Sequence, residues 1–299
     1  MKFVNFNDSK ISKLSLGTVQ FGLDYGIANF EGKPSQEKVN DIVEFLNKEG
    51  LNCFDTAQEY GNSELVLGSA LQENKNIFLI SKMKSYKFDD SLNESLLVSL
   101  KNLNTDCLFG LLLHDSELLY NWTKKNSEVI NALKTSNTIK YFGVSIYTSE
   151  DFELAINNND ITIIQIPFNI FDLRAIKEKW FEKAKSKGKL IFIRSVFLQG
   201  LLLMDIDLLP SKLINAKKYL EIFENFSKKL NLSKSELALS FVETIAKDSV
   251  LLFGCDNLIQ AKENLYNYKN LKLLDKDTIS DIITKFSDIN EDIYLPTRW

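Results

Sequence analysis

The run Leu51-Asn52-Cys53-Phe54-Asp55-Thr56-Ala57-Gln58-Glu59-Tyr60-Gly61-Asn62-Ser63-Glu64 changes character twice within fourteen positions. Leu51 to Phe54 is a short apolar run that ends at Asp55, and Ser63 opens an apolar period through Leu67 and Leu71. The run therefore spells strand, loop, helix. Asp55 and Tyr60 stand where a strand ends. In a parallel α/β fold that edge binds ligands, because the loops vary while the strands hold their ends rigidly. Taken singly, each residue has a plainer reading: an Asp at a strand end is usually a turn or cap residue, and a Tyr in a loop an amphipathic surface residue.

The same alternation continues on both sides. Strand-like runs occur at Leu14–Gly17, Ile77–Ile80, Leu108–Leu113, Tyr141–Val144, Ile161–Ile166, Leu190–Ile193 and Val250–Phe253. Helical periods lie between them. Ser35 opens one in which Val39, Ile42, Val43 and Leu46 share a face before Gly50 closes it. Another runs from about Leu173 to Lys187, Ser233 and Glu236 have capping-box spacing, and a last one runs from Leu258 towards Tyr268. Eight strand-then-helix units with nearly continuous apolar strands imply an α/β chain folded as one (β/α)8 TIM barrel, a single domain over residues 1–299. No GxGxxG follows the first strand, as a dinucleotide-binding open sheet would require. Residues before Leu14 are expected as an N-terminal extension and the helical pattern Thr278–Phe286 as a C-terminal helical extension, both additions that close or lid a barrel.

Composition narrows the function classes. Of 299 residues, 44% are hydrophobic and 25% charged, which is ordinary for a globular chain with a large core. A net charge of −4 favours neither nucleic acid nor an anionic membrane surface. Cys53, Cys107 and Cys255 lie far apart without CxxC spacing, so neither a zinc site nor a disulfide framework is indicated, and no apolar run approaches the ~20 residues of a membrane span. The expectation is a cytoplasmic protein with reduced thiols. Its oligomeric state is not written in the sequence.

In a barrel, the polar residues that follow the strands point to one face. Those positions hold Asp55, Lys82, His114, Ser145, Gln165 with Asn169, and Arg194 with Ser195. His114 is the only histidine. A Tyr phenol is a poor acid at neutral pH, with a pKa near ~10, and an adjacent ammonium favours its phenolate. Lys82 can supply that ammonium, Asp55 can hold Lys82 charged, and His114 can orient a carbonyl or alcohol oxygen beside Tyr60. Such a cluster suits proton transfer to a carbonyl oxygen.

With these residues in view the chain resembles the aldo-keto reductases, a (β/α)8 family that uses a nicotinamide cofactor without a Rossmann fold. The likeness runs through Leu14-Ser15-Leu16-Gly17-Thr18-Val19-Gln20-Phe21-Gly22, the Asp55 to Tyr60 stretch, Lys82, Leu112-Leu113-His114 and Gly143-Val144-Ser145. It continues in Gln165-Ile166-Pro167-Phe168-Asn169, Leu198-Gln199-Gly200-Leu201-Leu202 and Gln260…Glu263-Asn264. It implies Asp55, Tyr60, Lys82 and His114 as the catalytic set, with Tyr60 as proton donor or acceptor. It further implies Ser145 and Gln165 at the nicotinamide carboxamide with Gly17 and Thr18 nearby, and the loop from Ser195 to Gly200 over the pyrophosphate. Gly254, Gln260 and Asn264 would approach the adenosine end.

Three positions depart from the pattern. Ile146 stands where many relatives have Asn, and Arg194 where many stack an aromatic ring on the nicotinamide. Asp256 and Gln260 stand where NADP-using relatives supply Arg or Lys. The implied cofactor is NADP(H), with NAD(H) also compatible. The implied activity is interconversion of a small polar aldehyde, ketone or sugar carbonyl with its alcohol. Asp24, Tyr25, Asn29, Arg298 and Trp299 are candidates to line the substrate pocket, within the Leu23–Pro34 loop and the C-terminal segment. A non-catalytic redox sensor binding the cofactor on the same barrel is the competing reading. A metal-dependent barrel hydrolase would need more histidines or clustered carboxylates at the strand ends.

Overall fold

The pleat of a β-strand sends alternate side chains to opposite faces, and here that parity decides which residues reach the site. The computed structural model describes residues 1–27, 29, 32–71, 76–88 and 91–299. Strands β1 (Phe3–Phe6) and β2 (Ser9–Ser12) form an antiparallel hairpin. Strands β3 (Leu14–Gly17), β4 (Cys53–Asp55), β5 (Phe78–Met83), β6 (Leu108–Leu113), β7 (Ile139–Ser145), β8 (Ile163–Pro167), β9 (Leu190–Arg194) and β10 (Val250–Phe253) form a closed barrel. Every neighbouring pair in it is parallel, and β10 returns to pair with β3.

Cys53, Ile80, Leu112, Ile163, Phe192 and Leu252 face inward and pack with Val4 and Ile11 of the hairpin, which plugs the floor of the barrel. Their chain neighbours Phe54, Leu79, Leu111, Ile164, Ile193 and Phe253 face the surrounding helices instead. Two residues above the inward set come Asp55, Lys82, His114, Gln165, Arg194 and Gly254. Ser145 stands likewise above Gly143, and Gly17 above Ser15. Each of the eight barrel strands thus delivers one candidate residue to a single ring at the carboxyl end.

The helices follow from local signals. Ser35 caps the helix Gln36–Lys48, whose buried residues are Val39, Ile42, Val43 and Leu46. Ser233 and Glu236 form the full capping box, with the Glu236 N–H on Ser233 Oγ at 3.1 Å and the Ser233 N–H on Glu236 Oε2 at 2.8 Å. Two elements differ from the sequence reading. The helix expected over Leu173–Lys187 is two short helices, Arg174–Lys177 and Trp180–Ser186, broken at Lys179, whose φ is +59°. The break accompanies burial of Trp180, which stacks on Phe152 with ring centroids 4.7 Å apart. Helix Lys124–Thr135 was not anticipated because its buried face has only Ile130 and Leu133, too few for a 3.6-residue period to show. The C-terminal helical extension is present as Lys276–Lys285. Among the described residues no helix is long and apolar enough to cross a membrane.

Candidate active site

Tyr60 sits on a loop that is tied at several points. The N–H groups of Thr56 and Gln58 donate to the carbonyls of Ile80 (2.9 Å) and Lys82 (3.0 Å), so pairing with β5 continues past the end of β4. The Gln58 amide donates to Ser95 O and Ser99 Oγ at 3.0 and 2.8 Å. Below the loop, Thr18 Oγ1 donates to Asp55 O at 3.0 Å, and Ser63 Oγ lies 2.8 Å from Thr18 Oγ1. Gly22 and Gly61 let two loops cross here. A Cβ on Gly22 would sit 1.7 Å from Tyr60 O, and Gly61 has φ +59°.

The catalytic candidates come together. Lys82 Nζ lies 2.5 Å from Asp55 Oδ1 and 2.8 Å from Thr56 O, with Tyr60 Oη at 3.5 Å. Gln165 Nε2 donates to the other carboxylate oxygen of Asp55 at 2.8 Å. The ion pair is buried, with 0% of the Lys82 side chain and 4% of the Asp55 side chain exposed. Isolated, either charge would be costly there; paired and hydrogen-bonded, each is compensated. The Tyr60 ring meets the His114 ring edge to face, centroids 5.4 Å apart, and Lys82 Nζ lies 4.9 Å from the Tyr60 centroid.

Protonation follows from burial. Burial and then the Asp55 charge push the Tyr60 phenol above its ordinary value, opposite in direction to the shift expected from the Lys82 ammonium. Burial also lowers Lys82 while Asp55 opposes the shift. For His114, burial and the positive charge of Lys82 bring the pKa down to about 3, so its ring is neutral at working pH. His114 Nδ1 is buried without a hydrogen-bond partner in the protein, a polar capacity left for a ligand oxygen.

These groups open onto a cleft of about 440 Å³. It runs from Tyr60, His114, Tyr25 and Tyr147 to Gly254, Asp256, Gln260 and Asn264. Gly17, Thr18, Ser145, Gln165, Arg194, Ser195 and Gly200 line it as well. Of the catalytic and cofactor-binding candidates only Lys82 is absent from the wall, because it lies behind Asp55. Some candidates are already engaged: the Thr18 hydroxyl braces Asp55, and one Gln165 N–H is committed to the Asp55 carboxylate. Ile146 is fully buried and offers the cleft no side-chain donor, whereas its carbonyl accepts from Arg194 Nη2 at 2.9 Å. The Arg194 guanidinium lies 4.0 Å from the centroid of the Tyr147 ring. Tyr147 went unread in the sequence, since nothing in a loop marks the residue that will lie against a side chain 47 positions away.

The Ser195–Gly200 loop holds Ser195, Leu198, Gln199 and Gly200 at φ +62°, +51°, +54° and +94°. Three non-glycine residues in the left-handed region concentrate strain in this loop, and two of them, Ser195 and Gln199, line the cleft. Tyr25 and Asn29 line the cleft as expected of the loop that holds them, and Leu203 lines it as well. Ala28, Phe30 and Glu31 of the Leu23–Pro34 loop lie outside the described residues. Asp24, Arg298 and Trp299 do not line it. Asp24 Oδ1 accepts the Lys33 N–H at 3.0 Å, Arg298 pairs with Glu291 and Asp292, and Trp299 Nε1 donates to Asp292 O. The C-terminal segment is held by its own neighbours.

Residues 13–285 match the model of the aldo/keto reductase family. The uncharacterized oxidoreductase YqkF of Bacillus subtilis is 22% identical over 315 aligned residues, covering 98% of this chain and 97% of that protein. Among solved structures, aldo-keto reductase AKR11C1 from Bacillus halodurans in its holo form superposes with a TM-score of 0.77 at 18% identity, covering 100% of this chain and 99% of that one. An aldo/keto reductase from Klebsiella pneumoniae in complex with NADP and acetate superposes at 0.71 and 17%, with 95% of each chain covered. At such identities the superpositions are a likeness of fold.

Proposed function

This chain belongs to the aldo-keto reductase family, and we propose that it is a nicotinamide-dependent oxidoreductase that interconverts a small polar aldehyde, ketone or sugar carbonyl with its alcohol. The observation that carries the reading is the convergence of Tyr60, Lys82, Asp55 and His114 at one end of the cleft.

The donor set of the cleft fits such a cofactor. Ser145 and Gln165 offer side-chain partners for a carboxamide, the left-handed turns from Ser195 to Gly200 suit an anion-binding loop, and the orphaned His114 Nδ1 leaves room for a polar ligand. The cofactor, when bound, supplies or accepts the hydride. The residues manage the proton and the geometry. Tyr60, held protonated by burial, donates its proton to the carbonyl oxygen in reduction and recovers one from the alcohol in oxidation. Lys82, charged against Asp55, stabilises the phenolate left behind. Asp55 keeps Lys82 in place, and Gln165 keeps Asp55 in place. Neutral His114 orients the substrate oxygen by a hydrogen bond rather than by charge. The polar and aromatic wall of Tyr25, Asn29 and Tyr147 supports a hydroxylated substrate over a purely apolar one.

The test pairs wild type with Tyr60→Phe. Cofactor affinity is measured by fluorescence titration and turnover by nicotinamide absorbance on a panel of carbonyls and sugars. Retained affinity with turnover reduced at least 10²-fold supports the assignment. Binding without turnover on any carbonyl or alcohol would make the protein a cofactor sensor, and no binding of either nicotinamide cofactor would refute the reading. Turnover of apolar aldehydes far above that of sugars would refute the substrate class.

A further inference from the structure

The structure points to NAD(H) rather than NADP(H) as the cofactor of this cleft, with Asp256 the residue that sets the choice; this is our proposal, and it rests on the oxidoreductase reading above. The cleft has two ends. Tyr60 and His114 occupy one, so a nicotinamide that reacts beside them leaves its adenosine half to the other, where Gly254, Asp256, Gln260, Glu263 and Asn264 form the wall. NAD and NADP differ by a phosphate on the adenosine ribose, a group bearing more than one negative charge at neutral pH. Whether that end can receive it is a question of local charge.

Among the described residues lining the cleft, Arg194 is the one Lys or Arg, and it belongs to the catalytic end against Tyr147. Among the described residues that line it, the adenosine end has two carboxylates, Asp256 and Glu263, and no cation. Lys234 and Lys262, which adjoin lining residues in sequence, are engaged elsewhere. Lys234 Nζ donates to Met204 O at 3.1 Å and lies 3.8 Å from Glu224, while Lys262 Nζ lies over the Phe45 ring at 5.7 Å.

Asp256 is also held in place. Its N–H donates to Gln260 Oε1 at 2.9 Å, Gln260 Nε2 donates back to Asp256 Oδ2 at 3.3 Å, and the Gln260 N–H is capped by Asn257 Oδ1 at 3.0 Å. This ring sits at the start of helix Leu258–Asn270, where the carboxylate offsets the partial positive charge that would otherwise attract a phosphate. A ribose hydroxyl can donate to Asp256, whereas a phosphate there meets like charge.

The experiment is a fluorescence titration of wild type and Asp256→Asn with NADH and with NADPH, at low and at high salt. The expected result is NADH at least tenfold tighter in wild type, a gap that narrows as salt screens the carboxylates. In Asp256→Asn the NADPH-to-NADH ratio of Kd falls at least fivefold. NADPH binding as tightly as NADH in wild type, or a ratio unchanged in a folded Asp256→Asn, overturns the proposal while leaving the oxidoreductase reading intact. Failure of both cofactors to bind overturns the oxidoreductase reading, and the proposal falls with it.

Discussion

Replacing Lys82 by Met removes one half of a buried ion pair and leaves the Asp55 carboxylate with Gln165 and no counter-charge. At a separation of 2.5 Å and an effective dielectric of ~20, the attraction between the two groups is about 7 kcal/mol, largely offset by the desolvation of both. Breaking such a pair from one side costs about 3–5 kcal/mol. In a chain of 299 residues each kcal/mol shifts the melting temperature by about 1.6 °C, so Lys82→Met should melt about 5–8 °C below wild type. Asp55→Asn added to Lys82→Met removes the stranded charge while keeping an acceptor for Gln165, and should restore most of that loss without restoring turnover. Differential scanning calorimetry on the three proteins, with cofactor oxidation rates alongside, separates the two effects. A single variant as stable as wild type, or a double variant no more stable than the single, would refute the claim that this cluster is held together by mutual charge compensation.

Three further outcomes follow from the same geometry. Since burial holds the Tyr60 phenol protonated, the reductive kcat should be flat from pH 6 to 9 while the oxidative kcat rises with pH, and a reductive rate that falls over that range would count against the assignment. His114 has a native pKa of about 3 against about 6.5 when unfolded, so the unfolded chain binds the extra proton first. Its contribution to stability is complete above pH 6.5 and declines as pH falls towards 3, with a slope of about 1 kcal/mol per pH unit. Urea denaturation at pH 7.5, 6 and 5 should show that slope in wild type and its loss in His114→Gln. Gly22→Ala places a Cβ against Tyr60 O, so it should lower kcat at least tenfold and stability by about 1–3 kcal/mol; unchanged kinetics would show the loop crossing to be slack.

Much of the site was legible because local periodicity fixes pleat parity. Once Cys53, Ile80, Leu112 and Phe192 are read as inward apolar positions, Asp55, Lys82, His114 and Arg194 follow two residues later on the same face. Strand order and closure came from the repeated strand-helix alternation, to which all eight barrel strands conform. The N-terminal hairpin was readable only as an addition, since its four-residue strands bury Val4 and Ile11 in the barrel floor and carry too few apolar positions to declare it. Helix Lys124–Thr135 escaped for the same reason.

The sequence by itself therefore determined the order of elements, the fold class and the kinds of side chain gathered at the barrel's carboxyl end. Tertiary structure alone decided the rest: that Gln165 anchors Asp55 from 110 positions away, that Tyr147 backs Arg194, that Arg298 and Trp299 face Glu291 and Asp292 rather than the cleft, and that Asp256 and Glu263 line the cleft with no Lys or Arg beside them among the described lining residues. The physical reason is that periodicity is a property of neighbours in the chain, whereas a side chain's partners and burial depend on how the sheet closes. The direction of the Tyr60 shift is the clearest case. The sequence could name an ammonium and a carboxylate near the phenol, but only the closed barrel shows the burial that, reinforced by Asp55, raises it.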